Sequence, residues 1–141
     1  MNINTGKHVY SALSAIVVRP AANANDTAET LKVFPVIADF NTPTPPTPFA
    51  VYQRTSCQVQ YTKGLWTGDI THNYSVTVAD NQYSKTVELA QAAVDALMAL
   101  SHTVKEDMRF GQVLLSDISE DFVDGIFLQT LNFEINTTQI L

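Results

Sequence analysis

Charged residues, and basic ones above all, are scarce in this sequence. Lys and Arg number 8 and Asp and Glu number 14 among 141 residues, so 16% of the chain is charged, against a usual ~25%. Tight binding to a phosphate backbone requires clustered Lys and Arg, so the composition argues against specific binding of nucleic acid. The low charge leaves two interpretations open: an exterior partly covered by partners, or a neutral exterior rich in Thr, Asn and Gln.

Cysteine and long apolar runs are also scarce. Cys57 is the only cysteine, so an intrachain disulfide is impossible and a reducing interior is favoured. Residues 1–7 lack the charged-then-apolar pattern of an export signal. No apolar run approaches the ~20 residues of a membrane helix. We therefore expect a protein of the cell interior that has no membrane association.

Residues of the kinds that carry catalysis or bind metals are few and dispersed. His8, His72 and His102 are far apart in the sequence, and no acidic partners stand at ligand spacing. Cys57 falls inside a predicted strand, where a small buried hydrophobe is the usual interpretation. Residues 5–7 (Thr-Gly-Lys) resemble the end of a phosphate-binding loop but lack its first glycine and its preceding strand. We therefore predict a protein that is not an enzyme and that needs no metal or cofactor.

Apolar spacing and proline positions predict the elements of the first half of the chain. Val9 and Leu13 recur at helical spacing, and Pro20 disfavours helix at the residue before it. Pro35 would remove a donor from a sheet ladder, so its strand should lie at an edge. The predicted elements are a helix at 4–18, an edge strand at 31–37, an extended proline-rich loop at 41–48, a strand at 49–61, a glycine-containing turn at 62–68 and a strand at 69–79.

The second half contains the most regular pattern in the sequence. Val87, Ala90, Val94 and Leu97 form one apolar stripe at helical spacing. The alanines would allow this helix to approach a sheet closely. The predicted elements are a helix at 83–101, a strand at 110–118, a turn at 120–125, a strand at 126–136 and a loose tail at 137–141.

This order of elements predicts the fold class. A helix, three strands, a second helix and two strands indicate an α+β domain. We expect a mostly antiparallel sheet of about four to five strands with two main helices packed on one face. Residues 1–141 read as a single domain, and the proline-rich loop lies within it because strands flank it closely on both sides.

Acidic residues are concentrated late in the chain. Two interpretations are open for them: solvated loop positions, or a surface that repels nucleic acid or meets a basic partner. The six residues of this predicted acidic face are Glu106, Asp107, Asp117, Glu120, Asp121 and Asp124.

One strand resembles a known family. Residues 48–54, Pro-Phe-Ala-Val-Tyr-Gln-Arg, resemble the proline-entered strand of the tail-completion (tail-terminator) proteins of long-tailed bacteriophages and prophages. The likeness extends to the order of elements: a first helix, a variable loop, this strand, a strand like 72–79, a helix like 84–100 and a final strand pair. It spans nearly the whole chain, while the motif itself is short.

The resemblance implies a structural protein of the virion tail that is present in the bacterial host cytoplasm during assembly. Members of that family form a ring, commonly a hexamer, on the head-proximal end of the tail tube. The implied partners are copies of the chain itself, the tail tube protein and the head connector or neck protein. DNA would pass through such a ring without being held, and an acidic face would suit that passage.

Loop tips are the predicted sites of partner contact in such a ring. Trp is enriched at the energetic centres of interfaces, and the only Trp of this chain falls in a predicted turn. Arg54 is expected to reach an acidic neighbour. The predicted interface residues are Pro45, Pro46, Arg54, Leu65 and Trp66.

Two other functions stay open at this stage. One is a head-closure or neck protein of similar size. The other is a small cytosolic module that binds a peptide or a small ligand along the edge of the strand at 49–61.

Overall fold

The computed structural model describes residues 1–36 and 47–140. The predicted loop at 41–48 therefore lies outside the described residues except for its last two positions. The described elements in chain order are α1 (Gly6–Ser14), β1 (Val17–Arg19), β2 (Glu29–Thr30), β3 (Lys32–Pro35), β4 (Phe49–Thr62), β5 (Leu65–Asp80), α2 (Tyr83–Met98), β6 (Val104–Lys105), β7 (Met108–Val123) and β8 (Ile126–Gln139).

A six-stranded, strongly curled sheet forms the body of the protein. Its strand order is β3-β4-β5-β8-β7-β6. Neighbouring strands are antiparallel throughout except for β3, which runs parallel to β4. The predicted α+β class, the mostly antiparallel sheet and the two helices are confirmed. The strand count is higher than predicted, because the two-residue strand β6 carries no periodic signal, and β1 and β2 form a separate two-stranded sheet.

The two helices pack on one face of this sheet. Helix α2 contacts β5, β7 and β8, while α1 contacts α2, β3 and β4. Buried Ala90 and Ala93 allow α2 to lie close to the strands, and Leu89 and Leu97 are buried beside them. Among the described residues, no helix is long and apolar enough to cross a membrane.

The first helix is shorter than predicted. It ends at Ser14, and residues 17–19 form strand β1, which pairs with β2. Val17 and Val18 are β-branched residues, whose restricted side-chain rotamers favour strand over helix. The apolar spacing that predicted a helix to residue 18 therefore continued past the true end of α1.

Both long hairpins have tighter turns than predicted. Lys63 and Gly64 have φ angles of 52° and 78°, and Asp124 and Gly125 have φ angles of 52° and 80°. Two consecutive left-handed residues form the two-residue turn that matches the natural twist of paired strands. The predicted turns at 62–68 and 120–125 are therefore wrong, and most of their residues belong to strands β5 and β7.

The C-terminal segment is also ordered further than predicted. Strand β8 runs to Gln139, and Thr137 is 3% exposed opposite Phe110 of β7. A loose tail from residue 137 is therefore wrong for residues 137–139. The pairing with two long strands holds this segment, although its own residues carry little apolar surface.

Candidate interaction surfaces

The face of the sheet opposite the helices is polar. From Thr71 to Thr77 on β5 and from Thr130 to Thr138 on β8, burial alternates regularly, and the side chains that point away from α2 are half-buried or exposed rather than buried. Hydrogen bonds join them across the strands: Thr71 donates to Asn136 over 2.8 Å, and the hydroxyls of Thr77 and Thr130 are 3.1 Å apart. The residues of this face on β5 and β8 are Thr71, Asn73, Ser75, Thr77, Thr130, Asn132, Glu134, Asn136 and Thr138. None of these residues is basic, although Arg109 of β7 stands opposite Thr138 at one end of the face.

The six residues of the predicted acidic face do not share one surface. Glu106 and Asp107 lie at the turn between β6 and β7, where Lys7 pairs with Glu106. The amides of Asn2 and Gln139 each donate to Asp107 over 2.7 Å. These hydrogen bonds hold the pKa of both carboxyls below their usual values. The first two acids are thus engaged within the chain.

The other four acids lie on the distal half of β7 and its turn. Asp117 and Asp121 stand opposite Asn132 and Leu128, on the face away from the helices. Glu120 points to the helix side, and Asp124 is in the turn. The chain has no Lys, Arg or His after Arg109. The distal β7–β8 hairpin is therefore an acidic end of the molecule rather than an acidic face.

The sheet has a long open edge on each side within the described residues. Strand β6 pairs only with Met108 and Arg109 of β7, and strand β3 pairs only with residues 49–52 of β4. Within the described residues, 114–123 and 53–62 are thus left without a neighbouring strand on their outer side. Neither segment contains Lys or Pro, but both contain a register irregularity, and bulges and charged residues also protect exposed edges from pairing. These two segments are the edges at which another strand could pair.

The open parts of β4 and β7 lie at opposite ends of the sheet. Arg54, Tyr74, Phe133 and Leu115 lie side by side across the four central strands. From that level, the β4 edge continues towards the turn at 63–64 and the β7 edge continues towards the turn at 124–125. Three antiparallel pairings separate β4 from β7, so these two strands are themselves antiparallel.

The tip of the β4–β5 hairpin contains two of the predicted interface residues. Leu65 is 74% exposed and Tyr61 is 61% exposed. Trp66 is half-buried, with its indole N–H donating to the Asp69 carbonyl over 3.4 Å. Arg54 lies away from this tip and donates to the Ile3 carbonyl over 2.6 Å, so its guanidinium is used within the chain. Pro45 and Pro46 lie outside the described residues.

An aromatic groove lies at the opposite end of the sheet, and sequence reasoning missed it. Its cavity of ≈ 270 Å³ is floored by Phe122 and Phe127, whose ring centroids are 4.6 Å apart, and by Tyr83, 5.6 Å from Phe127. Phe122 and Tyr83 are 57% and 48% exposed. A signal was present: a two-residue turn at Asp124-Gly125 places Phe122 directly opposite Phe127. The remaining lining residues are Glu120, Asp121, Leu128 and Gln129.

A buried polar cluster joins the start of α1 to the sheet. The Thr5 hydroxyl is 2.5 Å from the Tyr74 hydroxyl and 3.4 Å from Nδ1 of His72, and Nε2 of His72 is 3.2 Å from the Thr137 hydroxyl. Burial lowers the pKa of His72 to about 4. Cys57 Sγ is 3.7 Å from His72 Nδ1, but His72 is fully buried with both ring nitrogens engaged. The buried members of the cluster therefore support the fold, and Cys57 at its edge is half-buried.

Ligands for a metal ion are not gathered anywhere in the described part of the chain: no group of three His, Cys, Asp or Glu side chains is close enough to hold one. The surfaces that stand out are the two open edges, the polar face, the hydrophobic hairpin tip and the aromatic groove. All of them are suited to contact with other macromolecules.

The same fold occurs in a virus-like particle. The structure is similar to that of a chain in the virion of a native gene transfer agent particle, with a TM-score of 0.64 and 18% sequence identity. The match covers 92% of this chain and 91% of that chain, so the likeness extends over the whole domain. The sequence itself matches no known protein family and no curated protein.

Proposed function

We propose that this protein is a structural component of a phage-like virion that caps the head-proximal end of a tail tube as a ring and presents the docking surface for the head. The observation that carries the proposal is the pair of open edges on a fold that is similar to a gene transfer agent virion chain. The strand entered at Pro48, which resembles that of tail-completion proteins, supports the same function.

The open edges are suited to closing a ring. A ring requires a head-to-tail contact between two different surfaces of the same chain. The β7 edge of one copy and the β4 edge of the next are two such surfaces. Because β4 and β7 are antiparallel, copies that all point the same way along the ring axis would pair these edges as antiparallel strands. The copies would be offset along the strand direction, because the open parts of β4 and β7 lie at opposite ends of the sheet, and the contact would continue the sheet from one copy into the next.

The polar face of the sheet is suited to line a ring through which DNA passes. In this arrangement the helices would lie outside and the face bearing Thr71, Asn73 and Thr130 would line the opening. Asp117 and Asp121 add negative charge to that face. A lining that is free of basic side chains at these positions would not bind the phosphates of passing DNA.

A proline substitution tests the ring. The two-residue turn at 124–125 sets the alternation of hydrogen bonds along β7, so the N–H of Ile118 points away from β8. Ile118 is 50% exposed. Ile118→Pro should remove one donor from the open edge with little effect on the fold. Ile118→Ala is the matched control, because it removes the side chain and keeps the N–H.

Rings counted by negative-stain microscopy and mass measured by light scattering give the readout. We expect wild type and Ile118→Ala to form rings with a central hole and Ile118→Pro to form none. Added to wild type, Ile118→Pro should also reduce ring yield, because it offers an intact β4 edge and a blocked β7 edge. Equal ring formation by both variants would rule out edge pairing.

Deleting the gene from the genome that carries it tests the role on the tail. We expect filled heads and overlong tail tubes that fail to join, as seen by electron microscopy. Tubes of normal length that fail to join would instead identify a head-closure or neck protein. Normal infectious particles would contradict both functions.

A further inference from the structure

The aromatic groove is an apolar site with an acidic rim. Phe122, Phe127 and Tyr83 form its apolar floor. Glu120 accepts hydrogen bonds from the Tyr83 hydroxyl over 2.8 Å and from Gln129 over 3.3 Å, which fixes its carboxylate at the rim. The same carboxylate raises the pKa of Tyr83. The groove is therefore preorganised for a ligand that combines an apolar group with a positive charge.

The tip of the β4–β5 hairpin has the complementary composition. Lys63 is the first turn residue, and Leu65 follows one residue after it. At 74%, Leu65 has the largest exposed fraction among the exposed large hydrophobic residues of the described chain. Tyr61 stands opposite Trp66 beside it, so the tip presents an aliphatic side chain, an aromatic ring and an ammonium group together.

We infer that the aromatic groove of one copy receives the β4–β5 hairpin tip of a second copy, with Leu65 on the aromatic floor and Lys63 at the acidic rim. Charge complementarity selects this occupant: Glu120 lines the groove and Asp124 lies in the turn beside it, whereas Lys63 occupies the turn of the other hairpin. Removing Leu65 from water against aromatic rings supplies the apolar part of the contact.

This contact joins copies end to end. The groove lies at the turn end of β7 and β8, and the tip lies at the opposite end of the same sheet. It is therefore separate from the side-to-side pairing of open edges and goes beyond the proposed function. In the free protein, the end-to-end contact would cover the groove and the hairpin tip of each subunit. If the proposed capping function is correct, contacts with the tube and the head connector would replace the end-to-end contact on a tail.

Association of the free protein is measured in the Ile118→Pro variant, where the side-to-side contact is removed. Sedimentation velocity over a range of protein concentrations should show reversible association in this background. Adding Leu65→Ser should weaken it by about tenfold or more, as expected when a central apolar anchor is lost. Val104→Ser is the matched control, because Val104 is also a strand residue and is 53% exposed at a distant edge.

Charge reversal tests the direction of the contact. Lys63→Glu and Glu120→Lys should each weaken association, and the double variant should recover at least part of the wild-type strength because the pair is restored with opposite polarity. Lys105→Glu, the same charge change on β6, should have no comparable effect.

Three results would overturn the inference. The first is an Ile118→Pro variant that stays monomeric at all concentrations. The second is an equal loss of association in Leu65→Ser and Val104→Ser. The third is a double charge reversal whose loss of association equals the sum of the losses in the two single variants. A failure of this kind leaves ring formation by the wild type unaffected, so it is distinguishable from a failure of the proposed function.

Discussion

The middle of the sheet and its two ends are built from the same strands but have opposite surfaces. Val76, Leu131 and Ile135 in the middle are fully buried beneath the helices. At the ends, Leu65 and Phe122 are 74% and 57% exposed. The difference follows from length: the 16 residues of α2 span about 24 Å as a helix, whereas the 16 residues of β5 span roughly 50 Å as a strand.

This length difference shows where interaction surfaces arise in the fold. A helix that is half as long as the strands it covers leaves the ends of the hairpins without a core of their own. Apolar residues at those ends, such as Leu65 and Phe122, keep most of their surface exposed in the single chain. Their presence there is therefore evidence for contact with another molecule.

The largest expected effect comes from truncating one phenylalanine in each region. Phe133→Ala removes a ring that is 1% exposed in the core, and we expect a loss of about 3–5 kcal/mol in the free energy of unfolding. Phe122→Ala, at 57% exposure, should cost no more than about 1 kcal/mol. Urea denaturation followed by circular dichroism measures both. Similar losses for the two variants would contradict the division between a packed middle and projecting ends.

The pH dependence of stability sharpens the description of the middle. His72 has a pKa of about 4 in the folded protein against an ordinary value of 6.5 for an exposed histidine, so the unfolded chain takes up a proton first as pH falls. The contribution of the neutral His72 imidazole to the free energy of unfolding should be fully present above pH 6.5. It should fall by about 3 kcal/mol as the pH falls to 4. Burial also lowers the pKa of His8, which adds a change of the same sign.

A histidine substitution isolates the His72 contribution. His72→Gln should be less stable than wild type at neutral pH and should show a flatter decline between pH 6.5 and 5. His102→Gln, at an exposed position, should keep the wild-type slope. Denaturant midpoints measured at each pH provide the comparison, and a wild-type slope in His72→Gln would contradict the buried neutral imidazole.

The smallest expected effects come from two glycines, with opposite signs. Gly125 has a φ of 80°, so Gly125→Ala should cost about 1 kcal/mol. Gly6 opens helix α1, and a Cβ there would meet Tyr74 and Tyr52 only at ordinary contact distances of 3.6 and 3.7 Å. Gly6→Ala should therefore stabilise the protein by up to about 1 kcal/mol. Thermal unfolding of both variants provides the measurement, and a shift of the same sign in both would contradict this assignment.

Much of the fold could be predicted because its signals are local. The stripe of Ala90, Val94 and Leu97 predicted α2, and the alternation at 126–136 predicted most of β8. The hairpin ends were predicted less well. At both turns a Gly follows a residue that takes the left-handed conformation, yet the apolar residues beside it were interpreted as part of a longer turn.

The candidate surfaces depended more strongly on long-range structure. Leu65 was predicted at an interface from its position near a turn, and the structure places it at an exposed tip. For the aromatic groove the sequence indicated only the pairing of Phe122 with Phe127 across the Asp124-Gly125 turn, since Tyr83 and Phe122 are 39 residues apart in the sequence. The six late acids were treated as one surface, and the structure separates Glu106 and Asp107 from the other four.

The sequence by itself determined the α+β class, the greater part of the four long strands and the acidic character of the chain after Arg109, because helical spacing, strand alternation and charge are properties of neighbouring residues. Only the tertiary structure decided that β4 and β7 have open edges and that Phe122, Phe127 and Tyr83 form a groove. Which strands become neighbours, and how far a helix reaches along them, depends on packing between distant segments, which no local pattern records.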